Sequence, residues 1–136
     1  MNNYDNNEES KRINVTESQL EKVAGGNDLP SFDAQETLNR AKQELGKPYR
    51  WDSVGPEAYD CSGLVSYCLT GIHARIGTTF TFMGWQRVSD PQPGDICTSN
   101  NHCGIYVGAG QMIHAPMEGA VVCYGPVQSD MIFVRR

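Results

Sequence analysis

The chain has 136 residues, enough for one domain with a sizeable core but not for two. Its net charge of −5 and pI of about 5.1 argue against a nucleic-acid-binding or anionic-membrane-binding surface. No apolar run approaches the roughly 18 residues of a transmembrane helix, and no basic segment followed by an apolar one predicts an ordinary secretory signal. Five cysteines without zinc-motif spacing allow at most two disulfides, so at least one thiol stays free.

The first part of the chain differs in composition from the rest. Residues 1–10 contain four asparagines and three acidic residues, a composition that buries too little apolar surface to fold. A short helical pattern then opens at the cap Thr16 and closes at a Gly-Gly pair. We therefore predict a partly disordered segment over residues 1–26, followed by a linker over residues 27–32.

The Gly25-Gly26 pair resembles the end of a double-glycine export leader. Counting back from Gly26, the apolar residues at the positions that such leaders use are Val15, Leu20 and Val23. The resemblance implies that a peptidase-containing ABC transporter binds residues 1–26 and cuts after Gly26, because only small residues fit its narrow entry. The simpler alternative is a Gly-Gly pair that ends a helix and begins a linker.

In the remaining chain, helices are predicted before strands. A first helix, capped by Asp33, ends at Gly46, and a second ends at Gly71. The alternation of threonine and phenylalanine over residues 79–82 weakly predicts a short strand. Five short β-rich runs then cover residues 95–98, 102–107, 111–115, 121–124 and 131–135. This order indicates an α+β domain over residues 33–136, with the helices packed on one face of an antiparallel β-meander.

A cysteine stands at the predicted start of the second helix. Asp60 is a favoured N-cap residue, which places Cys61 in the first turn. Unpaired N–H groups and the helix dipole favour negative charge there, so the thiol is biased towards the reactive thiolate. The Asp60 carboxylate partly opposes this bias, so a cationic partner is still needed. The alternative interpretation is a structural cysteine buried on a core helix.

Two histidines lie on predicted neighbouring strands. His102 opens one strand, His114 lies near the end of the next, and the turn at residues 108–110 makes the two strands antiparallel. Both histidines then lie side by side at the end of the hairpin away from its turn. A thiolate paired with an imidazole that a second polar group orients is typical of nucleophilic catalysis. The alternatives are two core histidines or a zinc site that also uses Cys61 and Cys103.

These stretches together resemble the NlpC family of bacterial cell-wall cysteine peptidases. The first signature is Gly46-Lys47-Pro48-Tyr49-Arg50-Trp51, Gly55-Pro56 and Tyr59-Asp60-Cys61-Ser62-Gly63-Leu64-Val65. The second is Pro93-Gly94-Asp95, His102-Cys103-Gly104-Ile105-Tyr106-Val107-Gly108 and Met112-Ile113-His114-Ala115-Pro116. The resemblance covers residues 33–136 and implies a compact papain-like NlpC fold. It also implies hydrolysis of an amide bond in peptidoglycan stem peptides, most often the bond between γ-D-glutamate and a diamino acid.

The resemblance assigns roles to single residues. Cys61 matches the nucleophile, His102 the general base and acid, and His114 the residue that orients His102. The residues that match substrate-binding positions are Tyr49, Asp60 and Ser62. The resemblance implies no metal or other cofactor, and a product that is secreted or associated with the bacterial cell wall after leader removal.

The sequence departs from the family pattern near the implied site. Residues 51–53 read Trp-Asp-Ser where the family usually has Trp-Gly-Gly, which adds charge and removes flexibility, and Cys103 beside His102 is unusual. Three other functions stay open: a papain-like amidase or acyltransferase on a non-wall substrate, a secreted antibacterial toxin of the same fold, or a non-catalytic binding module. The complete set of Cys61, His102 and His114 argues against the last.

Overall fold

The computed structural model describes residues 31–136, in which three helices and six strands form. The helices are α1 (Ala34–Gln43), α2 (Cys61–Thr70) and α3 (Thr79–Met83). The strands are β1 (Gln86–Arg87), β2 (Ile96–Thr98), β3 (Cys103–Gly108), β4 (Gln111–His114), β5 (Cys123–Pro126) and β6 (Ile132–Arg135). The leader predicted over residues 1–26 lies outside the described residues.

Helices α1 and α2 begin at the caps that the sequence predicts. The Asp33 carboxylate accepts a hydrogen bond from the Glu36 N–H at 2.9 Å, and the Asp60 carboxylate accepts one from the Gly63 N–H at 2.7 Å. Gly71 ends α2 with a φ of 76°, a left-handed conformation that glycine adopts without strain. The position of Cys61 as the first residue of α2 follows from the Asp60 cap.

Helix α1 ends three residues before the predicted stop at Gly46. Beyond Gln43 the chain continues in tighter turns, in which the N–H of Glu44 donates to Ala41 and the N–H of Leu45 donates to Lys42. Tightening of a last turn into bonds between residues three apart is common at helix C-termini. The predicted helix was therefore too long at this end.

The prediction of a strand over residues 79–82 was wrong, since these residues form helix α3. The Thr81 hydroxyl accepts a hydrogen bond from the Thr78 N–H at 3.1 Å, which secures the first turn. An alternating strand would place Phe80 and Phe82 on the same face. Instead Phe82 is fully buried against Trp85, with ring centroids 5.0 Å apart, and Phe80 is exposed. The burial of one phenylalanine and not the other favours the helix.

The strands form one antiparallel sheet in the order β1-β6-β2-β3-β4-β5. The predicted turn at residues 108–110 joins β3 to β4, and Ile105 pairs with Ile113 across this hairpin. Strand β5 begins two residues later than predicted, because the Val122 N–H donates to the Lys47 carbonyl and Val121 bridges Pro48. The short edge strand β1 had no counterpart in the sequence prediction.

Alternate residues of the central strands divide between the two faces of the sheet. One face carries the main apolar cluster, to which α2 contributes Leu64, Val65 and Cys68, and the sheet contributes Ile96, Ile105, Ile113 and Val134. A smaller cluster around Cys97 and Met112 covers the other face. Helix α2 therefore packs on the first face, which confirms the predicted α+β arrangement. Within residues 31–136, no helix is long and apolar enough to cross a membrane.

Candidate active site

Cys61 lies where the start of helix α2 meets the beginning of strand β3. The residue is half-buried and packs against the main apolar cluster. Strand β3 begins at Cys103, directly after His102, so one strand end brings a second thiol and an imidazole to the first turn of the helix. Cys61 interacts directly with the side chains of both Cys103 and His102.

The surroundings of Cys61 favour its thiolate. A hydrogen bond from the Cys103 thiol is the largest influence, and His102 adds both a hydrogen bond and an attractive charge. Together these outweigh burial and the nearby Asp60 carboxylate, so the pKa of Cys61 falls to about 5. Burial, and then the contact with Cys61, raise the pKa of Cys103 well above its ordinary value. Of the two thiols, Cys61 therefore carries the negative charge at neutral pH.

His102 has a second partner on strand β4. Its Nε2 lies 2.7 Å from Nδ1 of His114, and the two rings meet edge to face with centroids 5.0 Å apart. Burial, and then the neighbouring His102, lower the pKa of His114 to about 4. Because His114 is neutral at physiological pH, its Nδ1 is suited to accept the proton of the His102 Nε2–H. The two histidines lie side by side, as the predicted hairpin requires.

Two glycines leave the space that the His114 side chain occupies. A Cβ atom added to Gly125 on β5 would lie only 2.6 Å from Nε2 of His114. A Cβ added to Gly104 on β3 would lie 3.1 Å from the Cβ of His114 and 2.8 Å from Sδ of Met112. No sequence pattern pointed to Gly125, because its strand neighbours are known only once the sheet is formed.

Asp60 and Ser62 are both held by an arginine that the sequence reasoning missed. Nη1 of Arg75 donates to Oδ1 of Asp60 at 2.9 Å and to Oγ of Ser62 at 2.6 Å, while Nη2 donates to Oδ2 of Asp60 at 2.8 Å. Asp60 also caps α2, so its buried carboxylate is fully engaged. A buried carboxylate requires a cationic or hydrogen-bonding partner, but no sequence spacing identified which arginine supplies it.

The loop that precedes α2 brings Tyr49 to the same place. Tyr49 is half-buried, and burial, followed by the charges of Cys61 and Asp60, raises its pKa. A Cβ atom on Gly63 would overlap the carbonyl oxygen of Ser53, so the glycine after Ser62 lets this loop pack on the first turn of the helix. The structure therefore places Tyr49 near Cys61, as it does Asp60 and Ser62.

The rim of the site carries exposed and acidic side chains. The Trp51 side chain is 76% exposed, and its backbone N–H donates to the Glu118 carboxylate at 3.4 Å. Asp52 lies 3.6 Å from Arg75, although its side chain is largely exposed. Within the described part of the chain, no group of three or more histidine, cysteine or acidic residues is placed to hold a metal ion.

Comparison with known proteins identifies the family. The model of the NlpC/P60 family matches residues 46–134. The probable endopeptidase p60 of Listeria grayi is 37% identical over 60% of this chain and 18% of its own length. A probable endopeptidase of Corynebacterium glutamicum (strain R) is 34% identical over 73% of this chain and 53% of its own length. The chain thus spans only part of the curated relatives that it matches.

Solved structures agree with the sequence comparison. The NlpC/p60 domain of the peptidoglycan hydrolase SagA is 30% identical, with a TM-score of 0.60 over 74% of this chain and 97% of that domain. NlpC1 of Trichomonas vaginalis is also 30% identical, with a TM-score of 0.63 over 78% of this chain and 45% of its own. These matches confirm the α+β fold that the signatures implied. The chain belongs to the NlpC/P60 family.

Proposed function

We propose that this chain is a cysteine endopeptidase that hydrolyses an amide bond in peptidoglycan stem peptides. The observation that carries the proposal is the continuous contact from Cys61 to His102 and from His102 to His114. A stabilised thiolate, a proton carrier and an orienting group are what acyl transfer from an amide requires. The names of the matched relatives support the same class of reaction.

In the proposed first step, the Cys61 thiolate attacks the carbonyl carbon of the scissile amide. The first turn of α2 directs backbone N–H groups towards this point, and the N–H groups of Cys61 and Ser62 have no carbonyl partner within the helix. They are suited to stabilise the oxyanion that forms on the amide oxygen. The Asp60 carboxylate accepts the hydrogen bond of the Gly63 N–H. The N–H groups of Cys61 and Ser62 therefore stay available for the oxyanion.

In the second step, protonated His102 gives its proton to the leaving amine. The resulting neutral imidazole then removes a proton from water, and this water releases the acyl group from Cys61. His114 keeps the His102 ring in place throughout, because its neutral Nδ1 accepts the other ring proton at 2.7 Å. His114 thus serves as the positioning residue of the proposed triad.

We further propose that the scissile bond joins γ-D-glutamate to a diamino acid. Asp60 and Glu118 both act electrostatically on Tyr49, and Asp52 lies beside Arg75. Asp52, Asp60 and Glu118 outnumber the two nearby guanidinium groups, those of Arg75 and of Arg50, which lines the same pocket as Asp52. The surplus of negative charge favours a substrate with an ammonium group, such as the side-chain amine of a diamino acid.

Roles in substrate binding follow from the same contacts. Tyr49 is the proposed direct contact, since it lies at the rim beside the nucleophile. Asp60 and Ser62 already hold Arg75, so we propose that they position this guanidinium next to the bound peptide. Such contacts act on substrate binding more than on the chemistry of Cys61.

The test is incubation of the full chain with purified peptidoglycan, followed by mass spectrometry of the released muropeptides. We expect new fragments divided between D-glutamate and the diamino acid, and none with the Cys61→Ala variant. Cleavage at another bond would contradict the specificity. Equal activity of Cys61→Ala, or no cleavage of any wall, would contradict the reaction itself.

We also propose that residues 1–26 are an export leader, so that the mature enzyme is secreted or bound to the cell wall. The support is the spacing of Val15, Leu20 and Val23 before Gly26. Co-expression with the peptidase domain of an ABC transporter should give a product that begins at Asn27, and Gly26→Val should stay uncut. A wild-type chain that stays uncut contradicts the leader but leaves the proposed hydrolysis unaffected.

A further inference from the structure

A second thiol touches the proposed nucleophile and has no part in the proposed hydrolysis. Cys103 is fully buried at the start of β3 in the main apolar cluster, against which the Cys61 side chain packs, and the two thiols interact directly. Two thiols that pack together and interact directly need only a short approach to form a covalent S–S bond. The imidazole of His102 interacts with Cys61 as well, so a base lies beside the pair of thiols.

We propose that Cys103 is a resolving thiol, which forms a reversible disulfide with Cys61 when a peroxide oxidises the nucleophile. The modification would protect Cys61, because a disulfide is reducible whereas sulfinic and sulfonic acids are not restored by thiols. The proposal goes beyond the hydrolytic function, and it depends on the two sulfur atoms and on His102 but on no peptide substrate.

The first step oxidises Cys61. Its thiolate attacks one oxygen of the peroxide, so that an S–O bond forms and the O–O bond breaks. The departing hydroxide takes a proton from the protonated imidazole of His102 and leaves as water. The sulfur is oxidised to a sulfenic acid, the peroxide is reduced, and His102 becomes neutral.

The second step joins the two sulfurs. The thiol of Cys103 gives its proton to the neutral His102, and its sulfur attacks the sulfur of Cys61. An S–S bond forms, the S–O bond breaks, and the leaving hydroxide recovers the proton from His102 as a second water. Part of what raises the pKa of Cys103 is the negative charge of Cys61. That charge is absent in the sulfenic acid, so oxidation of Cys61 makes its neighbour easier to deprotonate.

The other described thiols lie in different surroundings. Cys97 belongs to the small cluster on the opposite face of the sheet, and Cys68 is buried within the main core towards the end of α2. Cys123 lies on β5, across from His114. All five cysteines are free in the structure. Cys97 is therefore the matched control, since it is as buried as Cys103 but is separated from Cys61 by the sheet.

The experiment treats the full chain with hydrogen peroxide until no free Cys61 thiol remains, and then maps its peptides by mass spectrometry without reduction. We expect a peptide containing Cys61 to be linked to one containing Cys103, with the loss of two hydrogen atoms. Dithiothreitol should restore the Cys61 thiol. The same result is expected for the Cys97→Val control.

The Cys103→Val variant should instead accumulate sulfinic acid at Cys61. The fraction of Cys61 thiol recovered by dithiothreitol should fall at least tenfold relative to the wild type, with each protein compared with its own untreated sample. Circular dichroism checks that the variant is folded, and the linkage in the wild type tests the proposal without any variant. Irreversible oxidation of Cys61 in the wild type, or a link to Cys123 in its place, would overturn it. These readouts are independent of hydrolysis.

Discussion

The two sides of the candidate site are built by different forces. The helix side consists of Asp60, Cys61 and Ser62 with Arg75, and it is held by charge and by backbone capping. The sheet side consists of His102 and His114 with the glycines around them, and it is held by strand pairing and by the space that the glycines leave. A local sequence motif specifies most of the helix side, whereas the sheet side forms only when three separate strands pair.

This difference predicts how each side responds to mutation. On the helix side, a changed charge leaves the buried Asp60 carboxylate without its full set of partners, so folding stability and activity should fall together. On the sheet side, a small change of shape moves an imidazole without exposing a buried charge. Activity should then fall, while the free energy of unfolding should change little.

The largest effect is expected within the sheet side. His102→Ala removes the proposed proton carrier and should lower kcat/KM by about 10³-fold or more, since residues of a triad act as a unit. His114→Asn keeps an acceptor for the His102 ring and should cost roughly tenfold. Steady-state kinetics on a stem peptide measure both. Equal losses for the two variants would contradict the different roles assigned to the two histidines.

A smaller effect on activity, with a loss of stability, is expected for Arg75→Lys. Lysine cannot reproduce the fork that holds Asp60 and Ser62, so the free energy of unfolding should fall by on the order of 2 kcal/mol. Activity should fall about tenfold to a hundredfold, because Asp60 caps the helix that carries Cys61. Urea unfolding and kinetics measure the two quantities.

Arg135→Lys is the matched control for Arg75→Lys. Arg135 donates to both oxygens of the buried Asp95, each at 2.8 Å, far along the sheet from Cys61. Because Arg135 is itself half-exposed, we expect a smaller loss of stability, and we expect activity to be kept. If Arg135→Lys lowers activity as much as Arg75→Lys, the effect of Arg75 is a general loss of stability and not a local one.

Gly125→Ala tests the space around His114 directly. The added methyl group would lie 2.6 Å from Nε2 of His114, so the ring has to move, and we expect a loss of about tenfold in kcat with little change in KM. In a His114→Asn background the shorter side chain should avoid the overlap, and the same glycine substitution should cost less than twofold. Equal costs in both backgrounds would show that Gly125 does not act through His114.

The smallest effect is expected from a change of pH. It acts on Cys61, the residue at which the helix side and the sheet side of the site meet. With a pKa of about 5, Cys61 is already a thiolate at pH 6. Its alkylation rate should therefore change by less than about twofold between pH 8 and pH 6, and should fall about tenfold per pH unit below pH 5. Iodoacetamide labelling read by mass spectrometry measures this. A tenfold fall between pH 7 and pH 6 would mean that the contacts with Cys103 and His102 do not hold the thiolate.

The sequence predicted the helix side more completely than the sheet side. The Asp60 cap, the place of Cys61 and the Gly71 stop were correct, because capping depends on residues within one or two turns of each other. The turn at residues 108–110 also fixed the pairing of β3 with β4. The strand predicted over residues 79–82 failed, because burial of one phenylalanine against Trp85 outweighed a weak alternation of residue types.

By itself, the sequence determined the local chemistry: a capped helix with a thiol at its start, and a hairpin whose ends carry two histidines. Its two signatures also determined the family. Only the tertiary structure decided that Arg75 holds Asp60 and Ser62, that Gly125 makes room for His114, and that Cys103 touches Cys61. These contacts join residues from separate elements, and their pairing depends on the shape of the whole core, which no local pattern specifies.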